Sequence, residues 1–275
     1  MNKYFKASGY IDYSKKHLIK IYKKTPRIIT APVLMIWGWR KYLKIFKFLN
    51  DYRIFKKLTK KSDNRFFPRI KDFYPIFGED MATADFDRHY IYHPAWAARI
   101  IARDQPEFHV DISSILDFST LVSAFVPVHF YDYRSVKISL EGLTVGQVDL
   151  SVLPFKDNEI KSISCMHVIE HVGLGRYGDP VNPEADLRAV EELKRVLAAG
   201  GNLLFVVPIG KEKLAFNAHR VYSYDQIISY FKELSLIEFV LIPRKEDGDL
   251  LINPNKKITN DQDYGCGCFW FKKNS

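Results

Sequence analysis

Residues 160–207 constrain the fold more than any other stretch. Ile160, Ile163 and the Cys165-Met166 pair suit a strand over 160–166, which runs out through Ser164-Cys165-Met166-His167-Val168-Ile169-Glu170-His171-Val172-Gly173 into a loop. Leu187, Val190, Leu193, Val196 and Leu197 recur at helical spacing over 183–197, with Pro183 suited to the first turn. Ala199-Gly200-Gly201 then turns the chain into a second strand over 202–207. Strands alternating with helices call for a mostly parallel, doubly wound sheet, in which ligands bind at the carboxyl ends of the strands. Glu170 and His171 stand at such an end.

The same reading places further strands at 107–112, 128–133, 145–149, 236–242 and 268–271, and helices at 94–102, 116–125 and 224–234. Ser223 is positioned to cap the last of these helices. The final strand returns after the polar loop 244–264 without a strong helix, which makes it antiparallel. The expected architecture is α/β: a doubly wound, mostly parallel, seven-stranded Rossmann-like sheet over residues 105–275, preceded by a basic, aromatic-rich helical extension and connection over 1–104.

The chain's net charge of +9 is unevenly placed. Residues 1–75 hold 20 Lys and Arg against 4 Asp and Glu, a net of +16, so the other 200 residues carry −7. Residues 1–62 read as helical and amphipathic in pieces, with Leu18, Ile21 and Tyr22 beside Lys15, Lys16, Lys20, Lys23 and Lys24, then Leu43, Phe46 and Leu49 among Lys41, Lys44 and Lys47. The apolar run 28–39 carries Trp37 and Trp39 but is only 12 residues long and contains Pro32, whereas a membrane span needs about 20. No signal-peptide pattern precedes it. Such an arm suits an anionic membrane surface, a membrane-bound enzyme complex or a second subunit, as in a homo-oligomer; a solvated face is the plain alternative. Nucleic acid ranks last, because no reading module accompanies the charge. The expected location is cytoplasmic, peripheral on the inner face of the membrane.

Three cysteines imply no disulfide framework and fit a reducing compartment. Cys266 and Cys268 share one strand face but lack the two further ligands of a zinc site, so no metal is expected.

A nucleotide-like cofactor needs a tight turn after the first strand and an acid after the second to hold ribose hydroxyls. Asp132, in Phe130-Tyr131-Asp132-Tyr133-Arg134, supplies that acid. Asp111 ends the first strand, either facing a cofactor or as a buried hydrogen-bonded carboxylate. Gly173-x-Gly175-x-x-Gly178 follows the fourth strand and runs into Asp179-Pro180, so it is a shaped loop rather than a dinucleotide fingerprint. Tyr177 and Asp179 on it suit a hydroxylated substrate or closure of the loop on itself. A neutral His171 or His219 can accept the proton of an attacking hydroxyl, or His171 can simply hold its turn. Asn217 offers an amide, and Arg220 either clamps a phosphate or carboxylate or bridges to Glu170 or Asp179. His167 is expected to pack within the fourth strand.

The Glu170-His171 pair and the Leu-x-x-Gly-Gly turn resemble the second half of class I S-adenosylmethionine-dependent methyltransferases. More narrowly, Glu170-His171-Val172-Gly173-Leu174-Gly175-Arg176-Tyr177-Gly178-Asp179-Pro180 and Phe216-Asn217-Ala218-His219-Arg220 resemble a methyltransferase-like family of unknown function often met in surface-polysaccharide gene sets. The resemblance spans residues 105–275. It implies S-adenosylmethionine as cofactor, held by Asp111 and Ser113 in the first turn, Asp132 at the ribose, and Asp149 with Leu150 of Asp149-Leu150-Ser151 and Leu153-Pro154-Phe155 at the adenine. It also implies a sugar, nucleotide-sugar or glycolipid substrate met by Glu170, Tyr177, Asp179, Asn217 and Arg220. Asp111-Ile112-Ser113-Ser114-Ile115 departs from the pattern Asp-x-Gly-x-Gly, and a serine Cβ occupies space that glycine leaves for the ligand. Two alternatives follow: a relative that has lost the methyl donor and binds a nucleotide-sugar for group transfer, and a non-catalytic membrane-associated scaffold.

Overall fold

The structure is a computed structural model that describes residues 27–59, 66–77, 86–244 and 250–275. The chain divides into two compact units, residues 1–84 and 85–275. In the first, α1 (Arg27–Thr59) is one helix of 33 residues rather than several pieces, and a single 3-10 turn follows at Ile70–Asp72. Phe73 packs edge-on against Phe48 and Tyr52 of α1. The expected pattern at Leu18, Ile21 and Tyr22 lies outside the described residues. No helix among the described residues is long and apolar enough to cross a membrane.

The second unit begins with α2 (Arg88–Asp104), capped by the Asp87 carboxylate, which accepts from the amides of His89 and Tyr90. The compact unit that holds this helix begins at residue 85, and the helix ends where the α/β domain was expected to start. Trp96, Ala97, Ile100 and Ile101 of α2 are buried against the sheet, which makes this helix one of its covering layers rather than a connection.

The sheet is built from β1 (His109–Ile112), β2 (Val128–Asp132), β3 (Leu143–Gln147), β4 (Ile160–Met166), β5 (Leu197–Ile209), β8 (Leu234–Ile242), β9 (Leu251–Ile252) and β10 (Gly265–Lys273). Between β5 and β8 lie a small hairpin, β6 (Lys213–Ala215) with β7 (His219–Val221), and α5 (Tyr224–Tyr230). The order is β3-β2-β1-β4-β5-β10-β8-β9. Strands β1 to β5 pair in parallel, and β10 inserts antiparallel between β5 and β8. This is the doubly wound Rossmann-like sheet that the sequence implies, with the two-residue β9 as an eighth, unexpected edge strand. The polar loop 244–264 also holds a short helix, α6 (Lys256–Asn260).

Both sheet faces are covered, and the alternation of side chains shows how. On β5, Leu203, Phe205, Val207 and Ile209 enter the core beneath α4 (Ala185–Val196) and α5, while Leu204 and Val206 face α2 and α3 (Leu116–Val122). On β10, Phe269 and Phe271 face the first core, and Cys266 and Cys268 the second. The chain turns to β2 on one side of β1 and to β4 on the other, so the strand order reverses at β1, where such sheets bind ligands.

Candidate functional site

At the carboxyl ends of β1 to β4, two adjoining cavities of about 320 and 550 Å³ open. Ser113, Asp132, Arg134, His167, His171 and Tyr177 line both. Asp149, Leu150 and Asp179 belong to the first, and Tyr90, Glu170, Arg176, His219 and Tyr264 to the second. Asp132 and His171 thus share one cleft, as the strand-end argument requires.

The turn after β1 keeps a glycine-like backbone without a glycine. Ser113 has φ 55°, in the left-handed region, with its amide donating to Tyr131 O at 2.6 Å. Asp132 Oδ1 accepts from Arg134 N at 2.8 Å and Nε at 3.2 Å, and Oδ2 has no protein partner among the described residues. Asp149 is exposed, and its Oδ1 accepts from Ser151 N at 2.8 Å.

After β4 the chain turns sharply. His167 does not pack within the strand as expected: β4 ends at Met166, and His167, at φ 57°, stands in the cleft wall. Its Nδ1 lies 2.9 Å from Glu170 Oε1, and His171 Nε2 lies 3.7 Å from the same oxygen. Glu170 is 1% exposed. Burial pushes its carboxyl up, but the bond from His167 and the charge of both imidazoles outweigh this and hold it below the usual range. His171 Nδ1 stands 2.6 Å from Ala218 O and 3.1 Å from Arg176 Nη1; the carbonyl only accepts and the guanidinium only donates, and the shorter contact, to the carbonyl, puts the proton on Nδ1 and leaves Nε2 to take one. Burial lowers the His171 pKa, and burial together with His171 lowers that of His219.

The loop that follows closes on itself. Asp179 Oδ2 accepts from the amides of Gly173 and Gly175, and Oδ1 from Tyr177 N, so its carboxylate is occupied by its own loop. Gly173, at φ 76°, could carry no side chain, because a Cβ there would run into Asn182 O. Tyr177 remains at the rim, with the guanidinium groups of Arg134 and Arg176 at 4.8 and 5.1 Å from its ring centroid.

Three of the expected site residues lie elsewhere. Asp111 is wholly buried beneath the cleft, accepting from Ser119 Oγ and Ser164 Oγ at 2.5 Å each, because residues alternate on β1 and Val110 and Ile112 take the opposite face. Burial pushes its carboxyl up to about 6. Arg220 lines neither cavity: it donates to Val172 O at 2.7 Å and Pro183 O at 3.3 Å, and its Nε lies 3.4 Å from Asp186 Oδ2, an acid other than Glu170 or Asp179. Asn217 is exposed and lines neither cavity. In their place the cleft holds Arg134, Arg176, Tyr90 and Tyr264, for which no role was expected, and His167, which was expected inside the strand. The signal for the first two was a basic residue within two positions of an expected site residue, Asp132 or Tyr177.

The family described as "Caenorhabditis protein of unknown function, DUF268" matches residues 107–239, just under half of the chain. No curated protein matches. Among solved structures, a putative methyltransferase from Bacillus halodurans is similar at 16% identity, covering 66% of this chain and 99% of that one with a TM-score of 0.48. An N-methyltransferase from Bradyrhizobium japonicum in complex with S-adenosyl-L-homocysteine is similar at 11% identity, covering 70% and 90% with a TM-score of 0.47. A Burkholderia thailandensis 1,6-didemethyltoxoflavin N1-methyltransferase with bound S-adenosylhomocysteine is similar at 12% identity, covering 67% and 79%, also at 0.47.

Proposed function

We propose that the protein is an S-adenosylmethionine-dependent methyltransferase whose acceptor is a hydroxyl of a sugar, nucleotide-sugar or glycolipid. The observation that carries this reading is the convergence of Ser113, Asp132, Asp149 and Leu150 on one cavity at the strand-order reversal. The turn at Ser113 already has the backbone conformation a glycine would take, so the residues present fit an adenosine-containing ligand. Asp132 Oδ2 is free for ribose hydroxyls, and the Leu150 amide for the adenine edge, while Asp149 O accepts from Val152 N within its own turn.

The bound donor would supply an activated methyl group. The chain's part is to hold the acceptor in the second cavity and to take its proton. His171 Nε2 is the accepting nitrogen: its ring is fixed through Nδ1, burial favours the neutral form, and Glu170 stands ready to stabilise the imidazolium. His219, whose ring centroid is 6.5 Å from that of His171, borders the same space. Most of the rate would come from contact geometry between donor and acceptor.

A second reading, a relative that has lost the donor and binds a nucleotide-sugar, is favoured by the Cβ of Ser113 and by the two guanidinium groups at Tyr177, which suit a diphosphate. Calorimetric titration with S-adenosylmethionine, S-adenosylhomocysteine and a set of nucleotide-sugars separates the two. Binding of S-adenosylhomocysteine that Asp132→Ala abolishes supports the first. Nucleotide-sugar binding alone overturns it.

A further inference from the structure

The second cavity has a buried histidine cluster behind its wall. His89 comes from the first turn of α2, His167 from the turn after β4, and Cys266 from β10, three elements far apart in sequence. All three side chains are buried, and their ligand-type atoms lie within 4.8 Å of one another. The two ligands that Cys266 lacks within its own strand are thus supplied by the fold.

The hydrogen bonding around His167 points the same way. Its Nδ1 is engaged by Glu170 Oε1 at 2.9 Å, so the nitrogen left for the cluster is Nε2. That nitrogen is buried in a side chain only 3% exposed and has no hydrogen-bond partner. A buried polar atom left without a partner is destabilising, and ring stacking of His167 on His89 and Tyr90 does not satisfy it. A carboxylate bound to one imidazole nitrogen while the other faces a metal is the usual way ligating histidines are oriented.

We propose that His89, His167 and Cys266 bind one divalent transition metal ion of the zinc type. Two imidazoles and a thiolate are soft to borderline donors, which suit zinc and do not suit magnesium or calcium, whose ligands are oxygens. Bonds of about 2.0–2.3 Å set tetrahedral donors about 3.5 Å apart, so the cluster closes by about 1 Å on the ion. His93, one helical turn beyond His89, has a buried Nε2 also without a partner and a ring centroid 5.0 Å from that of His167, but it stands outside the three-ligand cluster, and the fourth position is left to solvent or to a shift of that ring. Binding displaces the Cys266 thiol proton to solvent. Of the three ligands only His167 lines the cleft, so the ion sits in the wall and ties α2 to β4 and β10 rather than meeting substrate.

The test is cobalt(II) titration of the metal-free full-length protein, with zinc competition. One cobalt per chain, a thiolate-to-cobalt charge-transfer band and tetrahedral visible bands are expected, all displaced by zinc. Cys266→Ser should lose the charge-transfer band, and His89→Gln should lose binding, while Cys165→Ser should change neither. Circular dichroism confirms that each variant is folded, and His89→Gln, close to the helix end, guards against a misfolded Cys266→Ser. Zinc should raise the unfolding midpoint of the wild type but not of His89→Gln. Absence of cobalt binding, or binding without a sulfur band, overturns the site.

Discussion

Glu170 Oε1 serves two imidazoles, lying 2.9 Å from His167 Nδ1 and 3.7 Å from His171 Nε2, with the carboxylate almost wholly out of solvent. One buried carboxylate therefore orients the His167 ring by a hydrogen bond and acts on His171, whose ring Ala218 O holds, through its charge. Glu170→Ala should destabilise the protein by about 1–3 kcal/mol, the cost of leaving the buried His167 Nδ1 donor without its acceptor. Glu170→Gln should fold and keep an acceptor for His167 Nδ1. Because the Glu170 charge raises the His171 pKa against burial, its removal should move that pKa further down. Ring-proton NMR titration of His171 in the Gln variant checks this, and an upward shift would refute the arrangement.

Ser113 holds a left-handed backbone that glycine adopts at less cost, and its Cβ projects from the turn lining both cavities. Ser113→Gly loses the weak Ser113 Oγ bond to Tyr131 O at 3.2 Å but relieves the backbone. Stability should change by less than about 1 kcal/mol. If the cavity is an adenosine site, S-adenosylhomocysteine should bind the variant several-fold more tightly, read by calorimetry. Weaker binding would mean that the serine hydroxyl is itself a ligand contact.

Asp111 gives a pH signature. Its pKa is raised from 3.8 to about 6 by burial, so between those values the native state holds more protons than the unfolded one, and stability falls as pH rises through that window. A shift of about two units corresponds to up to about 3 kcal/mol. Asp111→Asn keeps the shape and removes the titration. Urea unfolding at several pH values should therefore show the variant gaining on the wild type from pH 4 to 7. A difference that stays constant with pH would exclude Asp111 as the source.

The layout of the sheet was legible because β5 and α4 carry patterns that depend only on local chain geometry, alternation in Leu203 to Ile209 and helical spacing from Val190 to Val196. The cleft-lining residues Asp132, Asp149 and His171 were legible for a related reason: a residue at a strand's carboxyl end lies on the edge whatever its partners are. Asp111 failed that rule because it stops short of the edge: β1 is buried on both faces at Val110, Asp111 and Ile112, and the chain meets the cleft only at Ser113. Arg220 bridges to an acid, but to Asp186 rather than Glu170 or Asp179, because its partners Val172 O, Pro183 O and Asp186 are brought to it only by tertiary folding. For the same reason no local pattern brought His89 to His167 and Cys266: the helix had to be known to cover β10. The left-handed turn at Ser113 was hidden by the residue type itself.

The basic arm yields a prediction that does not depend on the cleft. On α1, Leu43, Phe46, Ile54, Phe55 and Leu58 are exposed on the same helix as Lys44, Lys56 and Lys57. Exposed apolar side chains interleaved with lysines on a helix too polar to span a bilayer suit insertion at an anionic lipid surface, where each well-placed Lys or Arg contributes on the order of 1 kcal/mol. Full-length protein should sediment with phosphatidylserine-containing vesicles at low salt and be released as salt rises, because the Debye length contracts from about 10 Å at 0.1 M to about 3 Å at 1 M. Deleting residues 1–84 leaves both cores of the α/β unit intact and should abolish sedimentation without unfolding it. Charge reversal at Lys44, Lys56 and Lys57 should weaken binding, while Leu43→Ser with Phe46→Ser should leave a weaker and more salt-sensitive residue of it. Should the full-length protein ignore such vesicles at low salt, the apolar stripe instead covers a protein surface, and chemical crosslinking of the full chain would then place α1 against a second copy or another protein.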